Sequence, residues 1–576
     1  MPLEPTRSAA LTTVTIRSNG SEIPGTFALL SLEVSQVCGC IPYAHLIFQD
    51  GDPAKQSFDV AASDEFAPGA EIEIDLGYNR EENLVFKGLA TRLRVEAPLN
   101  GSSRLHVEVK HAAFRMHHAR HSRVWTDVTD ADALSDLAAG YGIGFDGSSE
   151  TARPQLVQHQ ASDWDFSVLR GERIGQLLLG GPDGLRLFAP DSNAEPSVTL
   201  EYGRTLFSLD LELNAEAQAA EISVGAWSPA DVSIETAESA AGDVAGPGNL
   251  DGSALAEASG VKPKPRQAGA RDQAELDDWA RAAMQRRRLS AVTGMVEVQG
   301  SSSLNVGDTV DLKGLGPRFD GPAFVSGLRH SISRGDWHCF VQIGLDPAFH
   351  DERHDICAPP AAGLIPSISG LQIGIVDEVH DDPAGEDRVA VRLATETETS
   401  EPIWARPMSV GGGAERGLVM LPDPGSECLL GFLDSDPRDP VLIGGLHSSA
   451  AASPLPGADG NDLKGLVSRA GTRIVFDDSG PSLVIETEGD RTIALSDDDG
   501  TIVISDRAGN KMEFDDSGIT LSSNSDITLD ARGDVRIDGM NVNAAAKIGM
   551  EVKGNTSANL KSSGSTVVRG ATVDIN

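Results

Sequence analysis

The chain has 576 residues, and its 47 Lys and Arg against 86 Asp and Glu give a formal net charge of −39. That balance excludes nucleic acid or anionic lipid as a principal partner, because both require clustered cations. The length calls for several domains, and low aromatic content with abundant Gly and Pro favours turn-rich β structure over a helical bundle.

From residue 10 to about 110, segments such as LTTVTIRSNG, TFALLSLEVSQ, EIEIDLGY and RLHVEVKHAAF alternate apolar with polar residues between Gly, Asn and Pro breaks. They read as strands. The period changes at 124–145, where Asp127 or Thr129 can cap a helix that stops at Gly140. DWDFSVLRGERIGQLLL, 163–179, reads as a second helix, followed by strands to about 227. Residues 228–270 are dominated by Ala, Ser, Gly, Pro and acid and read as a flexible linker, since they offer little apolar surface to offset ordering entropy. A helix, AELDDWARAAMQRRRLS, and more strands complete 271–356, and a Pro-rich joint covers 357–370. Residues 371–447 read as a small five-stranded OB-like barrel, with LQIGIVDEV, RVAVRLA, PIWARPM, GLVMLP and ECLLGFLD with PVLIGGLH as its strands. A connector, 448–468, leads to a repetitive block, 469–576.

That block carries apolar residues in pairs two apart: Ile474/Phe476, Leu483/Ile485, Ile493/Leu495, Ile502/Ile504, Met512/Phe514, Ile519/Leu521, Ile527/Leu529 and Val535/Ile537. Turns such as Asp478-Ser479-Gly480 and Asp516-Ser517-Gly518 separate them, so each step holds one short strand and one turn. One strand offers only one or two inward side chains, and the core must come from stacking. A single-chain solenoid and a prism of three interleaved chains both satisfy this.

Several catalytic signatures are absent: a Walker A loop, HExxH, CxxC and GxSxG do not occur. Gly140-Tyr141-Gly142-Ile143-Gly144 follows a helix and reads as its end, not as a dinucleotide loop. His111, His117, His118 and His121 share no ligand spacing with acids or Cys and read as ordinary histidines. The Asp-rich turns lack a calcium-solenoid pattern and read as solvated; Arg286-Arg287-Arg288 reads as a helix C-terminus. Five scattered cysteines argue against a disulfide scaffold, and Cys38 and Cys40 read as buried free thiols on one strand face. The first twenty residues hold no signal-peptide core, so synthesis in the cytoplasm is expected.

Gly374-Ile375-Val376, Arg388-Val389-Ala390-Val391-Arg392, Trp404-Ala405-Arg406 and LPDPGSECLLGFLDSDPRDPVLIGGLHSS resemble the OB domain of the VgrG and phage-baseplate hub-spike family. PGAEIEIDLGY, VWTDVTDADALSDLAAGYGI and ASDWDFSVLRGERIG resemble its hub domain, and the tail down to GATVDIN resembles its needle. LHSS after the barrel and the VDIN ending look most like spikes of extracellular contractile injection systems. The resemblance implies a mainly β chain: hub (1–227 and 271–356), OB barrel and a C-terminal triple-stranded β-helix built by a homotrimer. It implies a role without enzymatic activity or cofactor, with an inner-tube protein, baseplate proteins, a cargo effector and a PAAR-like tip protein as partners. The sixteen paired residues would form the needle core, and Thr572, Val573, Asp574, Ile575 and Asn576 would meet the tip protein. A type VI secretion VgrG and a phage tail spike share this architecture; a solenoid polysaccharide-active enzyme is the rival of another class.

Overall fold

The computed structural model describes residues 11–240, 244–395 and 401–575. It is mainly β and divides into two compact units, Met1–Ser367 and Ile368–Asn576. Among the described residues no helix is long and apolar enough to cross a membrane.

The first unit is built on a thirteen-stranded sheet that serves two cores. Strict alternation in Glu71–Tyr78 sends Ile72, Ile74 and Leu76 inward to meet Leu46, Phe48 and Phe66, all fully buried. The second core gathers Leu200, Val296, Val298, Val310, Leu312 and Val341. One long strand, Gly321–Ser333, pairs with Asp336–Ile343 on one side and with Leu29–Val37 on the other, joining the two halves.

Helices pack on this frame. Helix α1 (Asp130–Gly140) begins at a capping box in which Thr129 Oγ1 accepts from Asp132 N and Asp132 accepts from Thr129 N. Helix α2 (Asp163–Arg173) is capped by Ser162. It ends six residues before the expected boundary, because Gly175 adopts φ +76° and Leu177–Gly181 pairs as a strand with Gly184–Phe188. The three Leu of that run satisfy either period, and the hairpin partner decides.

The expected linker, 228–270, carries structure. Ser233–Ala240 pairs with Glu221–Ser228, and α3 (Gly252–Ser259) runs from its Asp251 cap to Gly260 at φ +64°. Residues 241–243 lie outside the described residues. The hairpin buries Ile222, Val224 and Ala237 against Leu276, Ala280 and Met284 of α4 (Gln273–Leu289). Small side chains on both sides permit close approach, which composition alone undervalues. At the end of α4 the three arginines are structural ties. Arg286 Nη1 donates to Glu172 at 2.8 Å with both side chains buried, Arg287 donates to the Ala217 carbonyl at 2.6 Å, and Arg288 donates to Gln218 Oε1 at 3.0 Å.

The second unit starts with a closed five-stranded barrel: β1 (Gln372–Glu378), β2 (Val389–Leu393), β3 (Ile403–Pro407), β4 (Glu427–Phe432) and β5 (Pro440–Gly445), in the order β1-β2-β3-β5-β4. Val376, Val389, Val391, Cys428, Leu430 and Leu442 fill it. The segment GLVMLP, expected as a strand, is instead an exposed loop. Seven strands then form an antiparallel meander: β6 (Leu463–Val467), β7 (Arg473–Asp477), β8 (Ser482–Thr487), β9 (Arg491–Ser496), β10 (Thr501–Ser505), β11 (Lys511–Asp515) and β12 (Gly518–Ser522). Beyond Ser522 the described residues form no strand. Ile527, Leu529, Val535 and Ile537, expected in two further strands, are exposed.

Candidate functional site

The meander exposes many large apolar side chains. Its turns are set locally. Asp477 Oδ1 accepts from Ser479 N at 2.9 Å and Ser479 Oγ at 2.7 Å, and Asp515 Oδ1 accepts from Ser517 N at 2.8 Å in the same way. These donors hold both carboxyls below the ordinary carboxylate range. The acidic turns are thus occupied by their own hydroxyls and amides.

Because the turns fix the register, apolar residues fall opposite one another across each strand pair from β7 to β12. Phe476 faces Leu483, which faces Leu495, then Ile502, Phe514 and Ile519. Ile474 faces Ile485, then Ile493, Ile504, Met512 and Leu521 in the same unbroken fashion. The two rows lie two residues apart on each strand and therefore on one face. Twelve of the sixteen paired residues are brought together in this stripe. Among the described residues much of it stays exposed: Phe476 is 49% exposed, Ile502 42% and Ile519 68%. A groove of about 630 Å³ runs along the second row and takes in Ile527, which thereby joins the stripe from beyond the last strand. Arg473 with Glu486, at 2.6 Å, and Lys511 with Glu513, at 2.8 Å, form partly buried pairs along the sheet.

Of the expected tip residues, Thr572, Val573, Asp574 and Ile575 are exposed and outside any strand, and Asn576 lies outside the described residues. The four clustered histidines disperse to separate tasks. His111 Nδ1 accepts from Ala113 N at 3.2 Å, His117 meets Asp165 at 3.3 Å, His118 packs edge-on to Phe114, and His121 meets Asp163 at 3.2 Å. Asp163 itself is buried and takes Arg123, Gln158 and the Tyr141 hydroxyl as further donors. The cysteines are free; Cys38 sits half-buried in a turn, where burial pushes its thiol up to about 12, and Cys40 is exposed, unlike the expected buried pair.

Sequence reasoning missed a second uncovered apolar surface, on the barrel. The outer side of β1 shows Ile373 and Ile375, with Leu371 just before it, beside Leu429 of β4. A barrel strand with a solvated outer side would place polar residues there; instead Leu371, Ile373 and Ile375 fall on the outer side while Gly374 and Val376 face in, and that signal was readable.

The comparisons with known proteins follow the same division. Residues 8–334, more than half of the chain, match the family model Alg8 N-terminal domain. Residues 372–447, the barrel, match the type VI secretion system/phage-baseplate injector OB domain. The type VI secretion system spike protein VgrG5 of Pseudomonas aeruginosa is 32% identical over 99 residues, covering 16% of this chain and only 12% of that relative. Among solved structures, a tail protein from Neisseria meningitidis is 14% identical with a TM-score of 0.44, covering 59% of this chain and 98% of that one. The E. coli c3393 protein, described as a component of the type VI secretion system, is 13% identical with a TM-score of 0.39, covering 75% and 99% respectively. The chain belongs to the Alg8 N-terminal domain family across its first half and, with its injector OB domain, to the VgrG and phage-baseplate spike family.

Proposed function

We propose that the protein is the homotrimeric spike and hub of a contractile, phage-tail-like injection system, of the extracellular type. The observation that carries this reading is the double apolar row on one face of the meander, continuous over six strands and largely exposed among the described residues. A sheet with that much exposed Ile, Leu and Phe is an association surface. Three copies turning this face to a common axis bury both rows and yield a triple-stranded β-helical needle. The same wrapping gives Ile527, Leu529, Val535 and Ile537 neighbours to pair with, so the shaft extends beyond Ser522.

The work is mechanical, not catalytic. Seven strands at ~4.8 Å spacing already give about 34 Å of shaft in which every rung is hydrogen-bonded to the next. Such a stack passes axial force from a contracting sheath to the envelope it punctures. The hub would cap the inner tube and sit among baseplate proteins. The end at Thr572–Asn576 would present strand edges to a PAAR-like tip protein by β-augmentation, and a cargo effector would be a further partner. The particle would be assembled in the cytoplasm and deployed outside the cell. A type VI secretion spike differs from this reading only in its delivery setting.

Negative-stain microscopy of the purified full chain tests the proposal. Class averages with threefold symmetry and a protruding rod are expected. A globular particle with no rod would overturn it.

A further inference from the structure

Among the described residues the barrel carries two exposed apolar surfaces, one on its wall and one on a loop. The first is the outer wall of β1 and β4: Leu371, Ile373 and Ile375 are 58%, 43% and 40% exposed, with Leu429 beside Ile373 in register. The wall is continuous, because a Cβ on Gly431 would stand 3.4 Å from Ile443 and 3.6 Å from Leu371, so those two side chains converge over this glycine. Asp377 with Arg392, paired at 3.0 Å, and Glu427 edge it with charge. An apolar centre with a charged rim is the anatomy of a protein interface.

The second surface is the loop from Met408 to Leu421. Its stem is fixed: Met408 N donates to the Leu442 carbonyl at 2.8 Å, Leu418 N to the Val410 carbonyl at 3.1 Å, and Ser409 Oγ to the Leu418 carbonyl at 2.8 Å. A structured loop so held nevertheless leaves Val410 72% and Val419 79% exposed, with Met408 and Met420 both more than half exposed. Glu415 and Arg416 lie at its turn.

We infer that the loop Met408–Leu421 of one copy docks on the outer wall of β1 and β4 of the next copy, so that three barrels close into a collar around the base of the needle. The inference rests on the trimeric reading above and adds the surface that closes it. Closed threefold symmetry makes every interface heterologous: each copy must present two unlike patches, one to each neighbour. The barrel has one apolar patch on its wall and another on a loop. They belong to the same unit as the needle stripe and precede it directly in the chain. Glu415 and Arg416 at the loop's turn and the Asp377, Arg392 and Glu427 rim supply charges of both signs for its edge. The collar also sets the stagger of the three chains before the repetitive needle begins, where a slip by one repeat would otherwise preserve the apolar stripe.

Charge exchange between the two patches tests this in the full chain. All four positions are exposed, so the barrel itself tolerates the changes. Val419→Lys with Met420→Lys, and separately Ile373→Glu with Ile375→Glu, should each raise the concentration at which the trimer half-dissociates by about tenfold or more. Carrying all four changes in one chain brings lysines onto glutamates of the neighbour and should recover most of that loss. Losses that simply add, or variants that dissociate like the unmodified chain, would overturn the collar while leaving the needle trimer standing. An unmodified chain that is a monomer by light scattering would instead overturn the trimeric reading, and the collar with it.

Discussion

Replacing Ile504 by Asp strikes the centre of the needle stripe. In one chain Ile504 is 44% exposed, flanked by Ile493 and Met512 across the strand pairs. The folded single chain therefore loses little, within about 1 kcal/mol of ordinary strand preference. In the proposed trimer the same side chain lies against the axis. Burying the exposed part of an Ile is worth roughly 1 kcal/mol, hence about 3 kcal/mol over three copies. Three carboxylates brought to one axis add a desolvation cost of several kcal/mol each, and they repel one another. The total is on the order of 10 kcal/mol or more, about a 10⁷-fold weakening of assembly. Sedimentation at micromolar concentration should therefore find monomers with unchanged circular dichroism from the first unit. The sign with pH follows from burial. The axial carboxyls would have raised pKa values in the trimer, so assembly returns below the ordinary Asp value near 4 and is lost as pH rises through the raised one. Ile504→Val should remain trimeric. A stable trimer of Ile504→Asp at neutral pH would refute the placement of this face on the axis.

Further tests address other parts of the chain. Ile527→Asp, in the groove beyond the last strand of the single chain, should likewise prevent needle assembly, and SDS-resistant trimers of that variant would count against it. Removing residues 570–576 should leave the trimer intact and abolish retention of the tip protein in a pull-down. Glu172→Ala should destabilise the first unit by about 3–5 kcal/mol, read as a lower melting temperature, because it strands buried Arg286 and removes the acceptor 2.7 Å from His350 N. His330 is buried, which lowers its pKa to about 4. Its contribution is whole above the unfolded value near 6.5 and falls as pH drops toward 4, by about 3 kcal/mol in all. Denaturation of His330→Gln should be flatter over that window.

The parts of this molecule governed by local chemistry were legible in the sequence. The period-two pairs and Asp-Ser-Gly turns foretold the strands of the meander, Thr129 foretold the start of α1, and the OB barrel stands where its short strands placed it. What depended on partners distant in the chain was not. The Ala-rich segment 228–270 read as a linker because its composition hides how closely Ala237 approaches Ala280 and Met284. Leu177, Leu178 and Leu179 read as helix because only the pairing with Arg186, Leu187 and Phe188 tells them from one. GLVMLP read as a strand because exposed apolar runs are rare in loops, yet the structure leaves Leu418, Val419 and Met420 exposed there. For Ile527, Leu529, Val535 and Ile537 the sequence carries a strand period that the structure does not realise, and the proposed trimer is what would supply their pairing partners.

The mass of the full chain in solution tests the central claim most directly. Light scattering on the purified protein should return three times the 60.5 kDa of a single chain, independent of dilution through the micromolar range. A single-chain mass, with hydrogen exchange showing residues 463–522 protected, would mean that one copy suffices to complete the sheet, and the shaft would have to be abandoned.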